Sequence, residues 1–124
     1  MSTAFRQAVE AKDLDAMEAA LAPDVEFRSP VVFKTYEGRD ATMGLLRMVV
    51  EVFEDFEYTD EVESGDSACL VFKARVGDRE LQGIDYLELN EEGQVARLTV
   101  LVRPLSGLTA LAEAMGALLA QAQA

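Results

Sequence analysis

The sequence predicts an α+β domain in which a long antiparallel sheet wraps around helices and a last helix closes the chain. Three observations lead there. Two short helical segments and one long amphipathic segment come first. Residues 56–103 then alternate apolar and polar side chains in four runs separated by turn residues. Beyond Pro104 the apolar spacing returns to that of a helix.

The totals bound what such a chain can be. At 124 residues it is expected to form one domain, 1–124, around one core. Half its residues are hydrophobic (50%) and 27% are charged, which excludes a disordered chain. No apolar run reaches the length of a membrane-spanning helix, and the first residues carry no secretory stretch, so a cytoplasmic location is expected. The 23 acidic residues outnumber the 11 basic ones, for a net charge of -12. That excess repels phosphate backbones and anionic lipid, so neither nucleic acid nor a membrane is expected as a partner.

Cys69 is the single cysteine, which excludes an internal disulfide and a thiolate metal site. Histidine is absent, so no Ser-His-Asp or Cys-His arrangement and no histidine-held zinc or iron can be built. No glycine loop of the phosphate-binding kind occurs either. Neither a cofactor nor a metal is expected, and acid–base chemistry is left to Asp, Glu, Tyr, Lys or Cys69.

In chain order, Ser2 or Thr3 suits the cap of a first helix carrying Phe5, Ala8 and Val9 on one side. Asp13 suits the cap of a second, Leu14 to Ala22, with Met17, Ala20 and Leu21 inward and Pro23 as its stop. Asp24 to Ser29 alternates as a short strand, with Val25 and Phe27 on one face, and Pro30 ends it. Residues 31–37 read as a loop bearing Phe33 and Tyr36. After Gly38, the stripe Leu46, Val49, Val50 and Phe53 predicts a third helix against a sheet.

The four runs follow. Phe56, Tyr58 and Val62 share a face of the first, and Ala68, Leu70, Phe72 and Ala74 share a face of the second. The third and fourth, Leu81–Leu89 and Gln94–Arg103, form a hairpin about Asn90-Glu91-Glu92-Gly93. A loop of residues 90–93 would set Tyr86 opposite Arg97. Ser106 suits the cap of the last helix, whose stripe includes Leu108, Leu111, Met115 and Leu118. Gly116 within it implies a close backbone neighbour.

One hairpin residue is out of place. Asp85 falls on the same face as Leu81, Leu87 and Leu89. A carboxylate on an apolar face is either paired or functional, because burying it unpaired is costly. Desolvation would raise its pKa and fit it for acid–base work or hydrogen-bond donation.

The chain resembles the SnoaL-like proteins of the nuclear transport factor 2-like superfamily. The resemblance is carried by Asp13-Leu14-Asp15 with Leu21-Ala22-Pro23-Asp24-Val25, by Tyr36-Glu37-Gly38-Arg39-Asp40, and by Gly83-Ile84-Asp85 through Gly93. It implies a cystatin-like curved antiparallel sheet forming a cone around the N-terminal helices, an apolar pocket, and a homodimer formed through the outer sheet face. Members include isomerases, cyclases and hydrolases as well as binding modules, so the resemblance speaks for fold more than for chemistry. The ketosteroid isomerases among them keep one carboxylic acid neutral on a hairpin strand. Asp85 matches that position. The family's base stands immediately before a proline, where this chain has Ser29, and its helix tyrosine falls on Phe5. The enolising chemistry of those enzymes therefore lacks two of its three groups here.

Asp85 and Tyr58 are the candidate catalytic residues, and Phe5, Ser29, Tyr36, Asp60, Leu87 and Leu98 are expected to line the pocket. Two functions are compatible with these residues. One is an apolar pocket for a small hydrophobic molecule, with Asp85 serving an isomerase, cyclase or hydrolase as acid–base or hydrogen-bond donor. The other is a non-catalytic dimeric module that binds a ligand or a protein.

Overall fold

The computed structural model describes residues 4–123. The predicted cap at Ser2 or Thr3 lies outside them. Helix α1 (Ala4–Glu10) buries Phe5 and Ala8. Lys12, at φ 55°, turns the chain into α2 (Leu14–Ala20), where Asp13 caps by accepting from the Ala16 N–H at 3.0 Å.

The second helix ends at Ala20, two residues before the expected boundary, and β1 (Leu21–Arg28) starts at Leu21. Pro23 thus lies inside a strand rather than stopping a helix. The ladder explains how: β1 pairs with β6 at Leu21–Val95 and again from Glu26–Arg97, and Pro23 sits in the unpaired interval, where no N–H is needed. Part of the expected loop is also a strand. β2 (Thr35–Glu37) pairs antiparallel with β1, setting Tyr36 beside Phe27.

Helix α3 (Arg39–Val52) starts at Gly38, whose φ of 96° suits glycine, and buries Thr42, Met43 and Leu46. Strands β3 (Glu54–Ser64), β4 (Ser67–Val76), β5 (Arg79–Leu89) and β6 (Val95–Arg103) follow as an antiparallel run. The sheet order is β2-β1-β6-β5-β4-β3, with β1 parallel to β6, and the curved sheet does not close. Its inner face packs Leu70, Phe72, Leu87 and Leu98 against Phe5, Met17 and Met43 from the helices.

Two irregularities reset the predicted register. In β3, Thr59 is an extra residue between the pairs Tyr58–Phe72 and Asp60–Val71. Alternation reverses there, so Asp60 and Val62 face outward and Glu61 faces inward; Val62 is 64% exposed. At the β5–β6 hairpin the loop takes in Gln94, so Leu89 pairs with Val95, and Ala96 is extra opposite Glu88 and Leu89. The two single-residue shifts together set Tyr86 opposite Thr99 rather than Arg97. Arg97 instead lies opposite Glu88 and donates to both its carboxylate oxygens, at 3.1 and 3.0 Å.

The last helix, α4 (Leu105–Gln123), starts one residue before the expected cap at Ser106. Its close approach is at Gly107 and not at Gly116. A methyl on Gly107 would lie 2.7 Å from Leu81 Cβ and 2.9 Å from Glu80 O, whereas one on Gly116 would meet nothing within 4 Å. Among the described residues, no helix is long and apolar enough to cross a membrane.

Candidate active site at the Asp85–Tyr58 pair

Alternation along β5 points Asp85 inward, between Leu70 of β4 and Val100 of β6. Among the described residues only Thr42 and Asp85 are buried polar ones. Thr42 is accounted for locally, since its hydroxyl donates to Gly38 O at 2.9 Å. Asp85 is 9% exposed and is bonded from another strand: the Tyr58 hydroxyl donates to Asp85 Oδ2 at 2.7 Å. The distance is that of a strong hydrogen bond to a charged acceptor.

Cross-strand packing fixes Tyr58. It pairs with Phe72, which pairs with Gly83, so the three form one row across the inner face. Phe56 meets the Tyr58 ring edge-on at a centroid separation of 4.9 Å, and the Arg6 guanidinium lies over the ring, 5.5 Å from its centre.

Burial pushes the Asp85 carboxyl up to about 6, against an ordinary value of 3.8, and the Tyr58 hydrogen bond partly offsets the rise by favouring the charged form. Burial, and next the Asp85 charge, push Tyr58 far above the usual phenol range, so it stays protonated and a donor. At neutral pH the pair is therefore mostly a carboxylate held by a phenol. The hydroxyl engages Oδ2 of the carboxylate. Tyr58→Phe removes the interaction that favours the carboxylate, so the Asp85 midpoint is expected to rise above that of the unmodified protein in a carbon-detected NMR titration. A fall, or no change, would show that the hydroxyl does not hold the carboxylate.

The pair borders a cavity of about 80 Å³ whose other walls are apolar, among them Phe5, Phe27, Val49, Phe56, Leu98 and Leu111. Two wider spaces adjoin it through shared walls. One, about 280 Å³, has Glu10, Lys12 and Glu57 at its edge and shares Tyr58, Phe53 and Phe56. The other, about 270 Å³, lies beneath α4 between Ser29, Tyr36, Leu45 and Met115 and shares Phe27, Pro30, Val49 and Leu111. The second half of the α3 stripe thus lines space as well as core.

The predicted site residues separate accordingly. Phe5 and Leu98 line the Asp85 cavity, and Ser29 and Tyr36 line the space under α4. Leu87 is fully buried in the core and lines none of these three spaces. Asp60 is corrected: the Thr59 bulge turns it to the exposed outer face, away from the pocket. Two residues absent from the prediction are brought to the site, Arg6 and Glu61, with Arg6 Nη1 2.7 Å from Glu61 Oε1. A bulge leaves no mark in a strand's composition, so only its outcome reveals Glu61. Among the described residues no three carboxylate or thiol side chains converge where a metal ion could sit.

This architecture is shared with known proteins. The chain is similar to a steroid delta-isomerase from Pseudomonas aeruginosa, at 41% identity over 96% of this chain and 88% of that one, with a TM-score of 0.91. It is similar to an uncharacterized bacterial protein with a cystatin-like fold from Silicibacter pomeroyi DSS-3, at 34% identity over 92% and 81% of the two chains, with a TM-score of 0.87. A de novo designed protein with a curved β-sheet, 18% identical, shares the fold at a TM-score of 0.71 over 90% of this chain and 95% of that one. No curated protein matches the sequence. The model of the SnoaL-like domain matches residues 2–98, and the chain belongs to the SnoaL-like family, with the nuclear transport factor 2-like fold.

Proposed function

We propose that the protein binds a small apolar carbonyl compound and catalyses proton transfer next to the carbonyl, with Asp85 as the base. The observation that carries this reading is the buried Asp85 carboxylate, bonded to Tyr58 at 2.7 Å, in an otherwise apolar cavity. A base with a pKa near 6 is ionised at neutral pH and still strong enough to remove a proton from an activated carbon. The proton passes from the α carbon to Oδ1, and the C–H electron pair enters the enolate. The same proton returns to a conjugated carbon, which moves the double bond and restores the carboxylate. Likeness to the steroid delta-isomerase supports this reaction class. With Ser29 before Pro30 and Phe5 at the helix tyrosine position, the isomerases' own set of groups is not repeated. Asp85, among the described residues the one carboxylate lining this cavity, takes the base role here in place of the neutral-donor role that its position has in the resemblance.

The cavity at Asp85 admits only the reacting end of a substrate. The body fits the space beneath α4, where Phe27, Leu45, Leu111 and Met115 are apolar. The test is deuterium exchange from heavy water into small unsaturated ketones, followed by mass spectrometry, with Asp85→Asn as the control. Exchange above that control supports the reading. Exchange equal to it across the panel, with the ketone shown to bind, overturns it.

The same reading takes the protein to act in the cytoplasm as a homodimer. The outer face exposes Val62 (64%) and Leu101 (56%), and Phe33 stands fully out of the loop beside it. A groove of about 590 Å³ between that loop and β6 is lined by Val32, Phe33, Thr99 and Leu101. Apolar patches of this kind are usually covered. Native mass spectrometry is expected to show a dimer that Leu101→Glu dissociates; a monomer at tens of micromolar protein would remove the proposal.

A further inference from the structure

The Asp85–Tyr58 pair has a support reaching it from two other positions. The extra residue Thr59 turns Glu61 inward, opposite Leu70, and Leu70 is in turn paired with Asp85. Glu61 therefore lies in the same cross-strand row as Asp85. Arg6 reaches down from α1 to meet it, Nη1 to Oε1 at 2.7 Å, with the two side chains only 21% and 10% exposed. Glu10, one turn further along α1, lies 3.4 Å from Arg6 Nε. So held, the guanidinium sits 5.5 Å from the centre of the Tyr58 ring.

We infer that Arg6 and Glu61 are positioning residues for the site: their ion pair fixes the Tyr58 ring, and through it the hydroxyl that bonds Asp85. Stability alone does not account for the pair. An ion pair taken largely out of water gains little net free energy, and apolar residues of similar volume often serve as well. Its placement answers a need of the ring. Phe56 packs edge-on and Phe72 lies 6.4 Å away, but neither carries a group that directs where the hydroxyl goes. A cation over the ring face is directional. The bulge that supplies Glu61 falls one residue after Tyr58, where bulges serve to re-aim side chains beside a site.

This inference deepens the proton-transfer reading, but its main test does not depend on turnover. The charged and titratable groups near Asp85 are Tyr58 and Glu61 from β3 and Arg6 and Glu10 from α1. The other elements present apolar groups: Leu70 from β4, Val100 from β6, Val49 from α3 and Leu111 from α4. Asp85 is titrated by carbon-detected NMR in the full chain and in Arg6→Met, Arg6→Lys, Glu61→Gln and the double variant Arg6→Met/Tyr58→Phe.

If the ion pair acts by holding Tyr58, Arg6→Met and Glu61→Gln both shift the midpoint upward from about 6, in the direction of Tyr58→Phe. The double variant then shifts no further than Tyr58→Phe alone, and Arg6→Lys keeps most of the original value. If the two charges act only through space, Glu61→Gln shifts the midpoint down and Arg6→Met shifts it up. Opposite shifts, additive shifts or no shift overturn the inference. Should Arg6→Met fail to fold, the conservative Glu61→Gln decides by the sign of its shift. Where a turned-over ketone is in hand, Glu61→Gln is further expected to lower kcat while KM stays constant. If no ketone is turned over, the proton-transfer reading fails and the titration still decides the positioning role.

Discussion

Asp85→Asn is expected to lower kcat for proton transfer by about 10²–10⁴-fold, the usual contribution of a general base, with little change in substrate affinity. The amide keeps the shape of the carboxyl and can still accept from Tyr58, so the cavity stays as it is. What it loses is the capacity to take a proton. In the unmodified protein, kcat/KM is expected to rise with pH through about 6 and level off above, because the ionised carboxylate is the active form. Stability moves the other way over the same range. A carboxyl whose pKa is raised from 3.8 to about 6 on folding contributes fully below about pH 4, and that contribution is lost as pH rises through about 6. At pH 7 the ionised, buried Asp85 therefore costs about 2–3 kcal/mol, following from about 1.4 kcal/mol for each unit between the two values. Asp85→Asn should relieve that cost, giving a higher urea midpoint than the unmodified protein at pH 7 and no advantage at pH 4. A variant less active but more stable is the mark of a group retained for chemistry. Equal activity, or a lower midpoint at pH 7, would make Asp85 a structural residue.

The acid was legible because period-two alternation held along β5 without a break. Leu81, Asp85 and Leu87 share the inner face as the sequence implies. β4 was legible for the same reason, with Ala68, Leu70, Phe72 and Ala74 all buried. The α3 stripe gave the helix, although part of it borders space rather than core. Alternation misled wherever one residue was inserted. Thr59 reversed the faces of β3, so Asp60 was expected in the pocket and Glu61 was not. Ala96 and a loop one residue longer than expected displaced the pairing of Tyr86 by two. Nothing in local composition marks either insertion, since a bulge is fixed by the strand beside it. Pro23 misled for a related reason: it reads as a helix stop, but an unpaired interval of β1 accommodates it. Arg6 was hidden among the polar residues of a short helix, and only the inward turn of Glu61 gives it a half-buried partner. The central acid is thus written in one strand, and its supports are written in contacts between strands.

Gly83→Val is expected to destabilise the fold by about 2–3 kcal/mol, towards the upper part of the range for overpacking a filled core. Valine suits a strand better than glycine, so propensity alone predicts a gain approaching 1 kcal/mol. Packing outweighs it. A Cβ on Gly83 would collide with Phe72 Cζ, and would lie 2.6 Å from Phe72 Cε2 and 2.8 Å from Leu101 O. The carbonyl belongs to the β6 backbone and cannot swing aside. The ring cannot either: Phe72 is 1% exposed and lies against Phe56 at 5.0 Å and Phe53 at 5.7 Å. Gly83 is thus a space made for Phe72, and Phe72 is the cross-strand partner of Tyr58. Displacing the ring pushes on Tyr58, whose hydroxyl must stay within bonding distance of Asp85. Gly83→Val should therefore lower both the urea midpoint, at unchanged m, and the rate of proton transfer. Shortening the obstructing side chain separates the two contacts. Phe72→Leu in the Gly83→Val background should recover part of the stability that Gly83→Val loses, a coupling expected only between residues in direct contact. A Gly83→Val midpoint at or above that of the unmodified protein would mean that the ring yields, and that the glycine is not there to seat it.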